Sequence, residues 1–204
     1  MEVTVKSIIL IDFDGVIRQW PGDEVTQAEQ ALGVTPGSLY KAAFTNDLLN
    51  LAVCGEISHQ EWCDRVTTQL ARCWSQKTAE ELVDTWQQAK WQIDTELVAG
   101  LRHHAPESKL VLVTNGTSQL EADLASANLL DSFDLVVSSA HIGVAKPDRL
   151  YFEVALQLAE GHPVHAVFID DSHTNVATAK AMGIDSLVHT NKDETLAFVR
   201  SHFS

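Results

Sequence analysis

Two pairs of aspartates, Asp12 with Asp14 and Asp170 with Asp171, follow short apolar runs in this 204-residue sequence. If those runs are neighbouring strands of one sheet, four carboxylates meet at one edge and repel one another strongly unless a cation lies among them. A site whose ligands are all oxygens suits a hard divalent cation, and Mg²⁺ is the usual one beside phosphate groups. The two pairs therefore predict a magnesium site with these four aspartates as metal ligands.

Other polar residues follow the remaining apolar runs. Thr114, Asn115 and Gly116 come after a second run, and Lys146 lies in the loop beyond a third. In an open α/β sheet, ligands bind outside the carboxyl ends of the strands, so all these residues belong to one predicted site. One Mg²⁺ together with Lys146 offsets three of the four carboxylate charges. A proton on Asp14 would then leave the site neutral before a substrate binds.

The apolar runs have the form of strands that are buried on both faces of a sheet. Helical patterns fill the intervals between them, and strands that alternate with helices predict right-handed crossovers. The expected fold is therefore α/β, with a doubly wound, Rossmann-like parallel sheet. The strand runs lie at residues 7–11, 110–113, 135–137 and 167–169, with a weaker one at 186–188. The predicted helix faces are Leu120, Leu124 and Ala127 behind the capping box Ser118…Glu121, Leu150, Val154 and Leu158 ahead of Gly161, and Val176 and Ala179 ahead of Gly183.

The segment 17–94 contains no buried-strand run, and its signals are helical. We predict a small helical domain over 17–94, inserted into an α/β core that is made of 1–16 and 95–204. Its helix starts are predicted from capping patterns. These patterns are Thr35-Pro36 as N-cap and first helical residue, the capping box Ser58…Glu61 with Ile57 and Trp62 as its hydrophobic staple, and a second box at Thr78…Glu81.

The composition excludes several classes of protein. A formal net charge of −14 disfavours nucleic acid and anionic membranes as partners. No apolar run is long enough to cross a bilayer, and residues 1–6 lack the features of a secretion signal. Cys54, Cys63 and Cys73 form no CxxC pair, which argues against a disulfide framework and a zinc site. We therefore expect a cytoplasmic protein, a monomer or a homodimer.

Taken in order, four motifs resemble those of the haloacid dehalogenase superfamily along nearly the whole chain. Each motif alone is weak, but all four in order, each at the end of a predicted strand, argue against coincidence. The segment 17–94 is similar to the C1 helical cap that the superfamily places after its first motif. The motifs are Asp12-Phe13-Asp14-Gly15-Val16, Thr114-Asn115-Gly116, Lys146-Pro147-Asp148, and Ile169-Asp170-Asp171-Ser172 followed by Asn175, Ala179 and Gly183.

The resemblance implies a Mg²⁺-dependent phosphatase that hydrolyses a small phosphorylated metabolite through an aspartyl-phosphate intermediate. The roles that it implies are chemically reasonable, since a carboxylate held in line can attack phosphorus and a nearby carboxyl can move protons. Asp12 would be the nucleophile, Asp14 the general acid and base with its carbonyl on the metal, Thr114, Asn115 and Gly116 the phosphoryl-binding loop, Lys146 the neutralising charge, Asp171 a metal ligand, Asp170 a ligand or the partner of one, and Asn175 a hydrogen-bond partner within the motif.

Several alternatives share parts of this pattern. A phosphomutase similar to β-phosphoglucomutase uses the same motifs, and the sequence leaves it open. A 2-haloacid dehalogenase needs neither metal nor a leaving-group acid, so Asp14 and the pair at 170–171 argue against it. The order of the motifs is wrong for a phospho-accepting receiver, and no motif residue is missing, as it would be in an inactive binding module. Arg18 and Trp20 could reach the substrate or serve only in packing, and His173 could belong to the site rim or to a helix start.

Overall fold

The computed structural model describes residues 6–203. Residues 1–5 and 204 lie outside that range. They include most of the segment 1–6 that argued against a secretion signal, and both ends of the predicted core. Within it, no helix combines the length and the apolar character that crossing a membrane requires. The longest helix has 13 residues.

Five parallel strands form the central sheet, as the apolar runs predicted. The α/β class and the parallel sheet are therefore confirmed. The strands are β1 (Ile8–Ile11), β4 (Lys109–Thr114), β5 (Leu135–Ser138), β6 (Ala166–Asp170) and β7 (Asp185–Val188), in the order β5-β4-β1-β6-β7. Two further strands, β2 (Arg18–Gln19) and β3 (Gln92–Ile93), pair antiparallel in a separate ribbon. This ribbon was not predicted, because two-residue strands carry no periodic pattern.

Eleven helices connect the strands within the described residues. Five of them lie between β2 and β3, five belong to the crossovers of the sheet, and the last one follows β7. The first five are α1 (Glu24–Ala31), α2 (Ser38–Ala43), α3 (Asn46–Val53), α4 (His59–Ala71) and α5 (Gln76–Gln87). The other six are α6 (Thr95–His104), α7 (Leu120–Ser126), α8 (Ser139–Ile142), α9 (Arg149–Leu158), α10 (His173–Ala181) and α11 (Lys192–His202).

Each face of the sheet is covered by its own apolar cluster. Alternate strand residues point to opposite faces, so Ile9 and Ile11 of β1 pack with α6, α7 and α11, while Ile8 and Leu10 pack with α9 and α10. Because both faces are covered, the inner strands β4, β1 and β6 have apolar middles, and Thr114 and Asp170 end β4 and β6 at the carboxyl edge of the sheet. This arrangement leaves the carboxyl edge of the sheet as the place where polar side chains gather.

Helices α1–α5 enclose a third apolar cluster of their own. Its buried members include Leu39, Trp62, Val66 and Leu82. The chain enters this helical insert through β2 and leaves it through β3, so the ribbon forms its stalk. The insert therefore follows the first strand of the sheet, as predicted. The domain limits at 16/17 and 94/95 stay predictions.

Two of the predicted helix starts in the insert are wrong, one by two residues and the other by three. α2 begins at Ser38 instead of after Thr35, because the buried Glu29 carboxylate accepts hydrogen bonds from the backbone N–H of Gly37 (2.6 Å) and Leu39 (2.9 Å). α5 begins at Gln76, with Ser75 as its N-cap. The capping serine at Ser58 is confirmed, since its Oγ accepts from Glu61 N–H (3.1 Å).

Two predictions about the core helices are also wrong. Leu150 and Leu158 are each 51% exposed, and the buried face of α9 is formed by the neighbouring residues Tyr151, Phe152, Ala155 and Leu156. Ser118 does not cap α7, which begins two residues later, because its Oγ accepts a hydrogen bond from His59 N–H of the insert. At the end of α9 the left-handed residue is Glu160 rather than Gly161. The predicted burial of Val176 and Ala179 is confirmed.

Gly55 lies at a close contact between the insert and the core. Its φ is +73°, and a Cβ there would lie 2.2 Å from the backbone oxygen of Ala140. Gly55→Ala is expected to lower the melting temperature more than Gly37→Ala. Gly37 also has a positive φ, +82°, but a Cβ there would meet no other atom within 4 Å. Both variants pay about 1–3 kcal/mol of backbone strain, at roughly 2–4 °C per kcal/mol, but only Gly55→Ala must displace a backbone. Equal shifts in thermal unfolding would contradict this close packing.

Candidate active site

The carboxyl ends of three adjacent strands bring the predicted site residues together. β1 lies between β4 and β6, so Asp12 follows the middle strand, while Thr114 ends one neighbour and Asp170 ends the other. The register pairs Ile11 with Leu112 and with Ile169, which places the three polar residues at nearly the same height. Because the strands are parallel and adjacent, Asp12 lies close to Thr114 and Asp170 although more than a hundred residues of sequence separate it from each.

Three carboxylates form a compact cluster at this edge. One oxygen each from Asp12, Asp170 and Asp171 lies within 4.8 Å of the others, and within residues 6–203 this is the only such group of acidic, histidine or cysteine side chains. Gly15 allows the close approach of the two acidic loops, because it has φ +81° and a Cβ there would lie 2.2 Å from Asp171 Oδ2. The donor set is all oxygen and suits a hard divalent cation.

Lys146 lies inside this cluster, with its side chain almost fully buried. Its Nζ is 2.9 Å from Asp12 Oδ1 and donates hydrogen bonds to Asp170 Oδ2 (2.7 Å) and to the carbonyl of Val113 (2.8 Å). All three donors of the ammonium group are therefore used. One lysine against three carboxylates leaves an excess of negative charge, which a cation would balance.

Burial and crowding perturb the pKa values of these groups. Burial, reinforced by Asp170 and opposed by Lys146, raises the pKa of Asp12 to about 7. Burial and the charge of Asp170 also raise the pKa of Asp171. Burial lowers the pKa of Lys146, but Asp12 and Asp170 outweigh it and leave the value above its usual range. A divalent cation among the carboxylates would favour their ionised forms, so the electrostatics also fit a metal site.

Asp170 is held in place by the helix that follows it. Asn175 Nδ2 lies 3.0 Å and 3.1 Å from its two carboxylate oxygens, and Ser172 N–H donates to Oδ1 (2.8 Å). Asn175 thus makes the hydrogen bond predicted within the fourth motif. Asp171 is the exposed member of the cluster, so the two neighbouring aspartates differ in burial. His173 is the first residue of α10, which begins behind the N-cap Ser172.

The loop after β4 is tied to the loop that carries Lys146. Asn115 Nδ2 donates to the carbonyl of Lys146 (2.8 Å), and its Oδ1 accepts from the backbone N–H of Lys146 (2.8 Å). Thr114 is buried at the end of β4, and Gly116 follows beside Leu120. The side chain of Asn115 therefore orients Lys146, a function that the motif alone did not reveal, while its backbone N–H stays the group predicted to bind phosphate.

Asp14 lies outside the carboxylate cluster and has its own partners. Arg18 donates from Nε to Oδ1 (2.6 Å) and from Nη2 to Oδ2 (2.8 Å), and Trp20 Nε1 donates to Oδ1 (3.0 Å). The remaining guanidinium nitrogen, Nη1, donates to Asp123 in α7 (2.6 Å). The four-residue spacing between Asp14 and Arg18 was visible in the sequence, but nothing there indicated Asp123. Both Arg18 and Trp20 thus contact a predicted site residue.

The helical insert contacts the same edge of the sheet through His59. Its Nδ1 lies 3.0 Å from Thr117 Oγ1, and its backbone N–H donates to Ser118 Oγ (2.9 Å), directly after the predicted phosphate loop. Burial lowers the pKa of His59. His59 Nε2 is 3.6 Å from the Cys63 sulfur, so both ring nitrogens have a partner. The insert therefore lies against the loop that borders the site.

Comparison with known families agrees with this geometry. Residues 6–183 match the sequence model of the haloacid dehalogenase-like hydrolases. The chain belongs to this family.

Among individual haloacid dehalogenase-like relatives, the hydrolase domain-containing protein 3 of Bos taurus is 32% identical over 143 residues, 66% of this chain and 57% of that protein. The pyrimidine 5'-nucleotidase YjjG of Escherichia coli is 44% identical over 57 residues, 28% of this chain and 25% of that protein. The first curated relatives are matched over 14%, 57% and 5% of their own lengths, so the chain covers less than two thirds of each.

Solved structures agree on the fold. A haloacid dehalogenase family enzyme of Bacteroides thetaiotaomicron, solved with magnesium and inorganic phosphate, superposes with a TM-score of 0.70 at 20% identity, over 91% of this chain and 94% of that one. The L-2-haloacid dehalogenase of Xanthobacter autotrophicus superposes with a TM-score of 0.63 at 18% identity, over 89% and 76%. Enzymes of different names thus share this architecture, so the fold alone does not select the reaction.

Proposed function

We propose that this protein is a Mg²⁺-dependent phosphatase that hydrolyses a small phosphorylated metabolite through a phosphorylated Asp12. The observation that carries the proposal is the cluster of Asp12, Asp170 and Asp171 around Lys146, with a second first-motif carboxylate, Asp14, held nearby but outside it. A phosphatase needs both parts: a cation and a lysine that balance phosphate charge, and a separate carboxyl that moves protons.

In the proposed mechanism, Asp12, Asp170, Asp171 and the Asp14 carbonyl would hold Mg²⁺, which would supply charge stabilisation to the transferring phosphoryl group. Asp12 attacks phosphorus in line, and the bond from phosphorus to the leaving oxygen breaks as the Asp14 carboxyl gives that oxygen its proton. Asp14, now ionised, takes a proton from water as the water attacks the phosphoryl group on Asp12. Inorganic phosphate and free Asp12 result.

The remaining residues orient the phosphoryl group. Thr114 Oγ1 and the Asn115 N–H lie in the loop expected to donate hydrogen bonds to its oxygens, with Gly116 leaving room for that contact. Lys146, already fixed between Asp12 and Asp170, would neutralise charge in the transition state without reorganising. The similarity to a pyrimidine 5'-nucleotidase over one quarter of that enzyme supports phosphate-ester chemistry without selecting this chain's substrate.

Two members of the same family compete with this proposal. A 2-haloacid dehalogenase needs neither a metal nor a leaving-group acid, so the acidic pair Asp170 and Asp171 and the second carboxyl Asp14 favour phosphate chemistry. A phosphomutase would use every group described here and differ in its product. A panel of phosphorylated metabolites, assayed both for free phosphate and for isomerised substrate, separates the two. If isomerised substrate forms and no phosphate is released, the protein is a mutase and not a phosphatase.

Metal removal tests the proposal directly. Hydrolysis of p-nitrophenyl phosphate is expected to vanish when EDTA is added and to return with excess Mg²⁺, because three crowded carboxylates cannot bind an anion without the cation. The same titration, followed by thermal unfolding, should show stabilisation by Mg²⁺. The control is Ca²⁺, which is larger and coordinates less strictly than Mg²⁺. It should therefore restore the thermal stability of the protein better than the rate of hydrolysis. Full activity in metal-free buffer would show that the assignment of magnesium as the cofactor is wrong.

A further inference from the structure

Arg18 is a buried charged residue that the proposed phosphatase mechanism leaves without a role. It lies in β2, at the entry to the helical insert, and is 8% exposed. Nε and Nη2 donate to the two oxygens of Asp14 as a bidentate fork, and Nη1 donates to Asp123. Each guanidinium nitrogen therefore already donates to a carboxylate. That engagement makes Arg18 a poor direct ligand for a substrate and a good support for Asp14.

The support itself is fixed from several sides. The guanidinium lies 4.5 Å from the centre of the Phe13 ring and 5.0 Å from that of Trp20, and Asp123 anchors it from α7. Trp20 also donates a third hydrogen bond to Asp14. A bidentate arginine–carboxylate pair fixes the plane of the carboxylate as well as its distance, which a lysine cannot do. The Asp14 carboxyl is thus oriented by donors that are themselves held in place.

We infer that Arg18 is the positioning residue for the acid–base step, with Asp123 as its anchor. The inference rests on the proposed function, since it assigns Arg18 a purpose only through Asp14. A carboxyl that protonates a leaving oxygen and later activates water must keep one orientation through two steps, and an error of about 1 Å in such a group can cost about 10²-fold in rate. Arg18 supplies that orientation and does not touch the substrate.

A double-mutant cycle tests the inference with p-nitrophenyl phosphate, an alkyl phosphate and acid-quenched mass measurement of covalent phosphate. Arg18→Ala is expected to lower kcat for the alkyl phosphate by about 10–10²-fold, with little change in KM. It should lower kcat less for p-nitrophenyl phosphate, whose leaving group needs little protonation, and should raise the fraction of phosphorylated protein. In the Asp14→Asn background, Arg18→Ala should change kcat by less than about 2-fold, because residues that act as one unit are not additive.

Three further variants sharpen the cycle. Arg18→Lys should recover only part of the rate, since it provides no fork. Asp123→Asn keeps the shape of the anchor without its charge, and it should lower kcat in the same direction, though less; it also serves if Arg18→Ala fails to fold. Arg65→Ala removes an exposed arginine of the insert that pairs with Glu61, and it should change nothing.

The inference and the proposed function fail in different ways. Equal losses from Arg18→Ala in the wild-type and Asp14→Asn backgrounds, or a rise in KM with kcat unchanged, would overturn the inference and make Arg18 a substrate ligand. An unchanged kcat in Asp123→Asn would overturn the anchor. The absence of covalent phosphate from wild type and from every variant would overturn the proposed function instead.

Discussion

The Asp12→Asn protein is expected to form no covalent phosphate and to hydrolyse no phosphate ester at a measurable rate. The substitution removes the charged oxygen that attacks phosphorus, and an amide is too weak a nucleophile to replace it. The fold should survive, because an asparagine oxygen can still accept the short hydrogen bond from Phe13 N–H (2.7 Å). Acid-quenched mass spectrometry and circular dichroism on the same sample measure both points.

The matched variant, Asp14→Asn, should fail in a different way. It keeps the nucleophile and the backbone carbonyl at position 14, so attack on p-nitrophenyl phosphate should continue. Hydrolysis of the phosphoenzyme should slow, since no carboxylate activates water. The variant should therefore accumulate more covalent phosphate than wild type. A covalent phosphate found on Asp14 would mean that the two roles are exchanged. Robust labelling of the Asp12→Asn protein would show that Asp12 is not the nucleophile.

The meeting of the motifs at one site was predictable from the sequence, because each motif lies at the end of a strand. Buried parallel strands leave continuous apolar runs, and the residues that follow them must meet at the carboxyl edge of the sheet. The proximity of Asp12 and Asp170 follows from that rule alone. The rule predicts where the polar residues gather but not which of them form hydrogen bonds. The reciprocal hydrogen bonds between Asn115 and Lys146, for example, depend on how two loops pack.

Three of the wrong predictions share a physical cause, which is competition from tertiary contacts. Ser118 has the spacing of a helix cap, but its oxygen accepts from His59 of the insert. Thr35-Pro36 has the form of a helix start, but the Glu29 carboxylate caps α2 two residues later. On α9 the spacing of Leu150 and Leu158 is helical, yet that face is turned to solvent. Local patterns indicate that a helix forms, and the packing decides which face is buried.

Lys146→Ala is expected to lower kcat by about 10²-fold or more, the effect of removing one preorganised charge from a site of this kind. The structure also predicts a cost in stability. Asp12 and Asp170 lose their shared cation while both stay buried, and a buried charge left without its partner typically costs about 3–5 kcal/mol. Mg²⁺ should restore part of that stability, so it should raise the melting temperature of the variant more than that of wild type.

Stability and turnover together distinguish this role from a structural one. Lys109→Ala removes an exposed lysine at the start of β4 that pairs with Glu160 in the loop after α9, and it should leave turnover unchanged and cost little stability. If Lys146 served only to hold the loop before α9, the variant would lose stability but keep the wild-type kcat whenever it was folded, and Mg²⁺ would stabilise both proteins equally. If instead Lys146 balances charge between Asp12 and Asp170, the folded variant stays slow at saturating Mg²⁺ and substrate, because the cation replaces the lost stabilisation of the carboxylates without occupying the position of Nζ.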